Sequence, residues 1–390
     1  MLLLLRIRHL LAVAVLGLVA HAANATVVDD LCAPLDDPCV VSGAVAITPG
    51  STIDLGGRAL QFADGAKVTW TGTVMVTNAG PCDFAAGSLV QESDPTPGNP
   101  LLWLYCSSAT LAGTIKTVGS GILVEGSAST DGPYVLSGTI QAKGDQVGVI
   151  AIDAIGGDIT VSGKIQAQSK TGTVPGEFRL ISNFGNVLIE ESAKIQLKGA
   201  TADPFGQFFV VEAGTGTLTV NGAIDARAKL GAYAFNLESN QALVFGPKSK
   251  IVASAKGTGP EMAINSQLGS ATLRGQIKAK TGAVDPGNGP RVRVCAGTDL
   301  SIAPTANIDA SAGSEGSIIL GAVNNAFVQG GAKMASKTQG DIEVCGGASG
   351  AISSHAKVNP EADAVGTYND AGCLSPESQV IFDLDCFAGM

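Results

Sequence analysis

Apolar and polar residues alternate with period two through most of the chain, in short runs rich in Val, Ile and Thr that are separated by Gly, Asn, Asp and Ser. That period sends successive side chains to opposite faces of a strand, and no stretch carries the 3.6-residue period of an amphipathic helix. Residues 149–152, a Gly-Gly turn and residues 159–161 read as one pair of strands; residues 208–211 with 218–220, and 292–294 with 300–302, read as two more. A third kind of run links the pairs. It carries an aliphatic anchor, one spacer and a small residue, as in Gly138-Thr139-Ile140-Gln141-Ala142, Gly163-Lys164-Ile165-Gln166-Ala167, Gly222-Ala223-Ile224-Asp225-Ala226 and Gly275-Gln276-Ile277-Lys278-Ala279. A longer form extends the preceding turn, as in Pro247-Lys248-Ser249-Lys250-Ile251.

The anchors Ile115, Ile140, Ile165, Ile195, Ile224, Ile251, Ile277, Ile308, Met334 and Val358 recur at intervals of 24 to 31 residues. Val68 reads as an earlier copy, and the stretch between Val68 and Ile115 holds either an irregular extra coil or an inserted loop. Each unit is strand, turn, strand, turn, strand, turn. One such coil cannot bury its own inward residues, but stacked coils share a continuous aliphatic core. The spacing therefore predicts an all-β fold, a parallel β-helix (solenoid) of about ten to eleven coils over residues 46–360, with three short strands per coil and a rod length of roughly 50 Å. Open terminal coils expose strand edges, so residues 26–45 read as an N-terminal cap and 361–390 as a C-terminal cap or tail, with 379–384 as a closing strand. Phe178, Phe184, Phe205, Phe208 and Phe209 are placed to stack between coils, and turn Gly and Asn to supply positive φ.

On the repeated Ile-x-Ala-x-Gly phrase, the chain resembles the right-handed parallel β-helix superfamily typified by pectate lyases and haemagglutinin-type adhesins. The resemblance spans about residues 45–360 and implies the right-handed architecture. It carries over no catalytic motif residue by residue, and the fold alone assigns no activity.

Composition fits thin coils: Gly supplies 51 of 390 residues, aromatics 5% and charged residues 15%. Residues 1–25 read as a signal peptide, with Arg6, Arg8 and His9 ahead of the apolar run 10–20 and an Ala23-Asn24-Ala25 cleavage site. The apolar run is too short to favour spanning a bilayer, and no later one is longer. A secreted or cell-surface chain is expected, with the periplasm as a further location. The eight Cys agree with an oxidising compartment. Cys32–Cys39 and Cys82–Cys106 are the favoured local pairs. Cys295 and Cys345 share one slot two coils apart, about 9.6 Å, too far for a disulfide to each other. They pair with Cys373 or Cys386 in the tail, or else Cys373 bonds Cys386 and leaves two buried thiols.

The formal net charge of −10 conceals a sorting. Windows from one residue before each anchor to three after hold more than half of the mature chain's Lys and Arg. They hold only three acids, Asp225, Asp309 and Glu361. The outward slots carry Lys67, Lys116, Lys143, Lys164, Lys194, Lys198, Arg227, Lys250, Lys278, Lys280, Lys333, Lys337 and Lys357. Stacked coils align them as a cationic face suited to acidic polysaccharide or another surface glycan, or they simply solvate a flat sheet. No aromatics interleave with the lysines, which argues against single-stranded nucleic acid.

Catalytic chemistry is sparse. Asp225 and Asp309 share a slot three coils apart, about 14 Å, beyond carboxylate-pair mechanisms. Asp145, Asp153 and Asp158 fall in one coil and are the one group here that suits a cation, calcium, although turn roles account for two of them. No other cofactor is indicated. Glu190-Glu191 reads as a turn pair, His355 as a surface histidine and Gly346-Gly347 as a turn. The absence of a C-x-x-C pair argues against zinc. The chain thus reads as a non-catalytic structural or adhesive β-helix, with a polysaccharide lyase, hydrolase or carbohydrate-binding module as the alternative.

Overall fold

A computed structural model describes residues 25–369, apart from 95–100, 146, 171–176, 202–207, 231–233, 257–258, 283–288, 313–315, 337–340 and 359–363. The signal segment, Cys373, Cys386 and the strand expected at 379–384 lie outside the described residues. The chain forms a parallel β-solenoid, consistent with the right-handed β-helix architecture, and its only described helical element is a 3-10 turn at Val28–Asp30.

Every described strand pair is parallel, and the register is unbroken except for irregularities after Val76 and after Lys278. Sheet 1 stacks thirteen strands, from Ala44–Ile47 to Lys357–Val358, and contains all the anchors. Sheet 2, with strands such as Ile150–Ala154 and Glu177–Ser182, and sheet 3, with strands such as Ile159–Val161 and Val187–Ile189, form the other two sides of each coil. They join at the N-terminal end because Val74–Phe84 and Leu101–Leu111 each run through both without a break. Eleven rungs of sheet 1 carry the anchors named above; Val45 and Val90 supply the remaining two. Between Val68 and Ile115 the chain therefore makes an extra coil rather than an inserted loop. Its phrase is disguised because Glu92 occupies the inward slot where Ala is usual. The Glu92 carboxylate is buried, accepting from the backbone N–H of Val118 (2.5 Å) and Ser120 (3.3 Å) and from Ser120 Oγ (2.5 Å).

Alternation along each strand fills one core. Ile140, Ala142, Ile165, Ala167, Ile224 and Ala226 are fully buried, while Gln141, Gln166 and Asp225 between them face out. Phe178, Phe209 and Phe235 stack through three successive rungs of sheet 2, with centroids 4.7 and 4.4 Å apart. Phe184 does not join them; it sits in a turn and is 58% exposed. Phe205 lies outside the described residues, and Phe208 belongs to the strand Phe208–Ala213.

The glycine of the repeated phrase is required by space rather than by φ. Among the described residues, positive φ occurs mostly near the N-terminus, as at the turn residues Gly43 and Gly50 and at Asn78 within the strand Val74–Phe84. At Gly163 the backbone passes so near the preceding rung that a Cβ would lie 2.1 Å from the Gly138 carbonyl oxygen, and one at Gly138 would lie 2.0 Å from that of Gly113.

Cys32–Cys39 ties the N-terminal segment to the first rung, and Cys82–Cys106 joins neighbouring coils inside the core. Cys295 and Cys345 lie in one outward column of sheet 2 with Gly321 between them. Both are buried and disulfide-bonded, so the arrangement that leaves them as free thiols is excluded. The expected caps contribute rungs of their own: Cys39–Val41 begins sheet 3, and Ala364–Asn369 extends sheet 2.

Two substitutions test this packing. Phe209→Ala is expected to lower unfolding stability by about 3–5 kcal/mol. Phe184→Ala is expected to change it by less than about 0.5 kcal/mol in the same denaturant titration. Gly163→Ala is expected to cost about 1–3 kcal/mol, because the new methyl meets backbone that cannot rotate away.

Candidate polyanion-binding groove

Outward residues of sheet 1 form three columns, each rising about 4.8 Å per rung. The leading column contains Lys164 beside Lys194, then Lys250, then Lys333 beside Lys357, with Lys67 nearer the N-terminus. The middle column is largely amide. Gln141 Nε2 donates to Gln166 Oε1 (3.2 Å), and Gln166 Nε2 to Gln196 Oε1 (2.9 Å). Lys116 and Lys278 occupy the same column beyond either end of this ladder. The trailing column holds Lys143, Gln168, Lys198, Arg227, Ser254 and Lys280. The expected cations occupy these columns, apart from Lys337, which lies outside the described residues.

Part of that charge is spent internally. Arg227 Nε donates to Asp225 Oδ1 at 2.7 Å, and Lys278 Nζ lies 3.9 Å from Asp309 Oδ2. The two acids thus act as local counter-ions three rungs apart, as their shared slot implies.

Where the trailing column meets the corner toward sheet 2, the surface opens into a cavity of about 450 Å³. Lys198, Arg227, Lys229, Lys256 and Lys280 line it, together with Gly199, Gly282, Ala228, Ala255, Ser254 and Thr281. Among the described residues, no acidic side chain lines it. The floor is small because Ala228 and Ala255 turn inward and Gly199 and Gly282 carry no side chain; long cationic stems form the walls. Sequence reasoning found Lys198, Arg227 and Lys280 but missed Lys229 and Lys256. Both lie five residues after an anchor, where the outward alternation continues for one more step.

The remaining candidates do not converge on a cation. Asp158 Oδ1 accepts from the backbone N–H (2.7 Å) and side-chain Nδ2 (3.1 Å) of Asn186, stapling one turn to the next. Asp153 points outward from sheet 2 and pairs with Arg179 at 2.8 Å, and Asp145 follows the strand Thr139–Gly144. Among the described residues, no three metal-ligating side chains cluster. Glu191 pairs with Lys248 (2.5 Å), and His355 is exposed in a turn.

One titratable group went unnoticed in the sequence for its actual setting. Asp153 stands beside Glu125 of the preceding rung, whose carboxylate accepts from the Trp103 indole N–H (3.0 Å); Trp103 in turn stacks on Tyr105. Burial, opposed by Arg179 and reinforced by Glu125 and Glu177, pushes the Asp153 carboxyl up to about 6. Only its position one rung from Glu125 reveals this, and that register is invisible until the coils are aligned.

Comparison of the chain with protein-family models, curated proteins and solved structures finds no match. Among the described residues, no helix is long and apolar enough to cross a membrane.

A carboxyl raised in the folded state binds a proton there more readily than in the unfolded chain. Its stabilising contribution is therefore present at low pH and is lost as pH rises through about 6. Stability relative to the Asp153→Asn variant is expected to fall between pH 4 and pH 6.5, as read from denaturation midpoints. A difference that stays flat across that window contradicts the assignment.

Proposed function

We propose that the protein is an exported, non-catalytic β-solenoid that binds acidic glycan through the sheet 1 groove, in a structural or adhesive role. One observation carries the reading: five cationic side chains from four consecutive rungs surround a single cavity with no described acid among them. Their spacing repeats along the rod axis, as carboxylates or sulfates do along a polysaccharide. Several cations of one sign around one concavity add their fields, which a single exposed lysine does not do. The disulfides support an oxidising compartment.

A second reading, a polysaccharide-active enzyme, rests on Glu125 and Asp153. Two carboxylates one rung apart, one with its proton held to higher pH, resemble the division of labour in glycoside hydrolysis. Arg179 already occupies Asp153, which weighs against a free acid. Turnover of acidic polysaccharides with added calcium, lost in Asp153→Asn, is the result that establishes this alternative.

Retention on an immobilised acidic polysaccharide is expected at low salt and lost as salt rises. The Lys229→Glu/Lys256→Glu variant is expected to elute at markedly lower salt, whereas Lys333→Glu/Lys357→Glu changes elution only slightly. Retention that ignores salt, or none at low salt, overturns the reading.

A further inference from the structure

Sheet 2 carries a counterpart to the groove that glycan binding does not use. Its outward column runs Glu125, Asp153, Ile181, Glu212, Glu238 and Asn265 on consecutive rungs. Glu125 is engaged by Trp103 and Asp153 by Arg179, but Glu212 and Glu238 stand on adjacent rungs with no ion-pair partner among the described residues. Burial, with a smaller contribution from the neighbouring Glu238, raises the Glu212 carboxyl above its ordinary range.

The cations of the groove are likewise arranged rung by rung. Both repeats are set by the same backbone hydrogen bonding, so two rods lying side by side present charges of identical period, about 4.8 Å. Another solenoid matches that period by construction. From this complementarity we infer that a second copy of this chain docks its Glu212–Glu238 column into the sheet 1 groove. Stripe and groove are different surfaces of one chain, so the contact is heterologous and does not close into a two-fold dimer. Side-by-side addition leaves a free groove at one flank of the array and a free stripe at the other. The formal net charge of −10 opposes association at long range, and the local pairing acts within a Debye length of about 8 Å at physiological salt.

Sedimentation velocity of the full disulfide-bonded chain tests this at low and high salt. Concentration-dependent association is expected at low salt and its loss at high salt. Lys229→Glu/Lys256→Glu and Glu212→Lys/Glu238→Lys are each expected to weaken association about ten-fold or more, since like charges then face each other. Mixed in equal amounts, the two variants are expected to associate again, because each supplies the surface complementary to the other. If either variant fails to fold by circular dichroism, Lys229→Gln/Lys256→Gln or Glu212→Gln/Glu238→Gln replaces it and is expected to weaken association without the rescue. A wild-type chain that stays monomeric at low salt, variants that associate like wild type, or a mixture of folded charge-reversal variants that stays monomeric overturns the inference. Glu212→Lys/Glu238→Lys leaves the groove intact, so its retention on acidic polysaccharide reports separately on the glycan reading.

Discussion

Everything in this molecule hangs on the backbone hydrogen bonds between one coil and the next. They hold successive rungs about 4.8 Å apart in parallel register, and each consequence follows from that spacing. Inward residues stack on their own kind, so Ile140 lies on Ile165 and Phe178 on Phe209. Turn backbones come so close that Gly163 has no room for a Cβ above Gly138. Outward residues repeat with the same period, and a modest bias in the sequence becomes a continuous column on the surface. A charge pattern that would average out on a globular protein is thereby sorted into faces.

The repeating core was legible because each rung repeats the same physical demand. Ile at the anchor and Ala two residues later recur since both point into a narrow interior that stacking makes continuous. Legibility failed where one rung met that demand differently. Glu92 hides the coil anchored on Val90, because a buried carboxylate that accepts three hydrogen bonds from residues 118–120 does not look like a core residue in the sequence. Positive φ accounts for turn glycines such as Gly43 and Gly50, but at Gly138 and Gly163 it is close approach between rungs that excludes a side chain. The local disulfides could be read from spacing. The exclusion of a Cys295–Cys345 bond could be read too, since it depends only on counting two rungs.

The candidate site was legible in part. Basic residues in outward slots revealed a cationic face, but not where on that face a concavity lies. Lys229 and Lys256 complete the groove from just past the end of the repeated phrase, and the small residues between the cations make room. Asp225, read as the slot-mate of Asp309, and Arg227, read as part of the cationic face, neutralise each other in part. On sheet 2 the acidic column of Glu125, Asp153, Glu212 and Glu238, interrupted by Ile181, appears only after register is known, because successive rungs of that column are 26 to 31 residues apart in the chain. Opposite charges are thus sorted onto adjoining faces of a single rod.

The most direct measurement of this account is a lysine-acetylation footprint, read by mass spectrometry, with and without a saturating acidic polysaccharide at low salt. Localised binding predicts protection of Lys198, Lys229, Lys256 and Lys280. Lys67, Lys333 and Lys357, on the same sheet but outside the groove, should keep their reactivity. Equal protection along the whole sheet, or protection confined to lysines outside the groove, contradicts it.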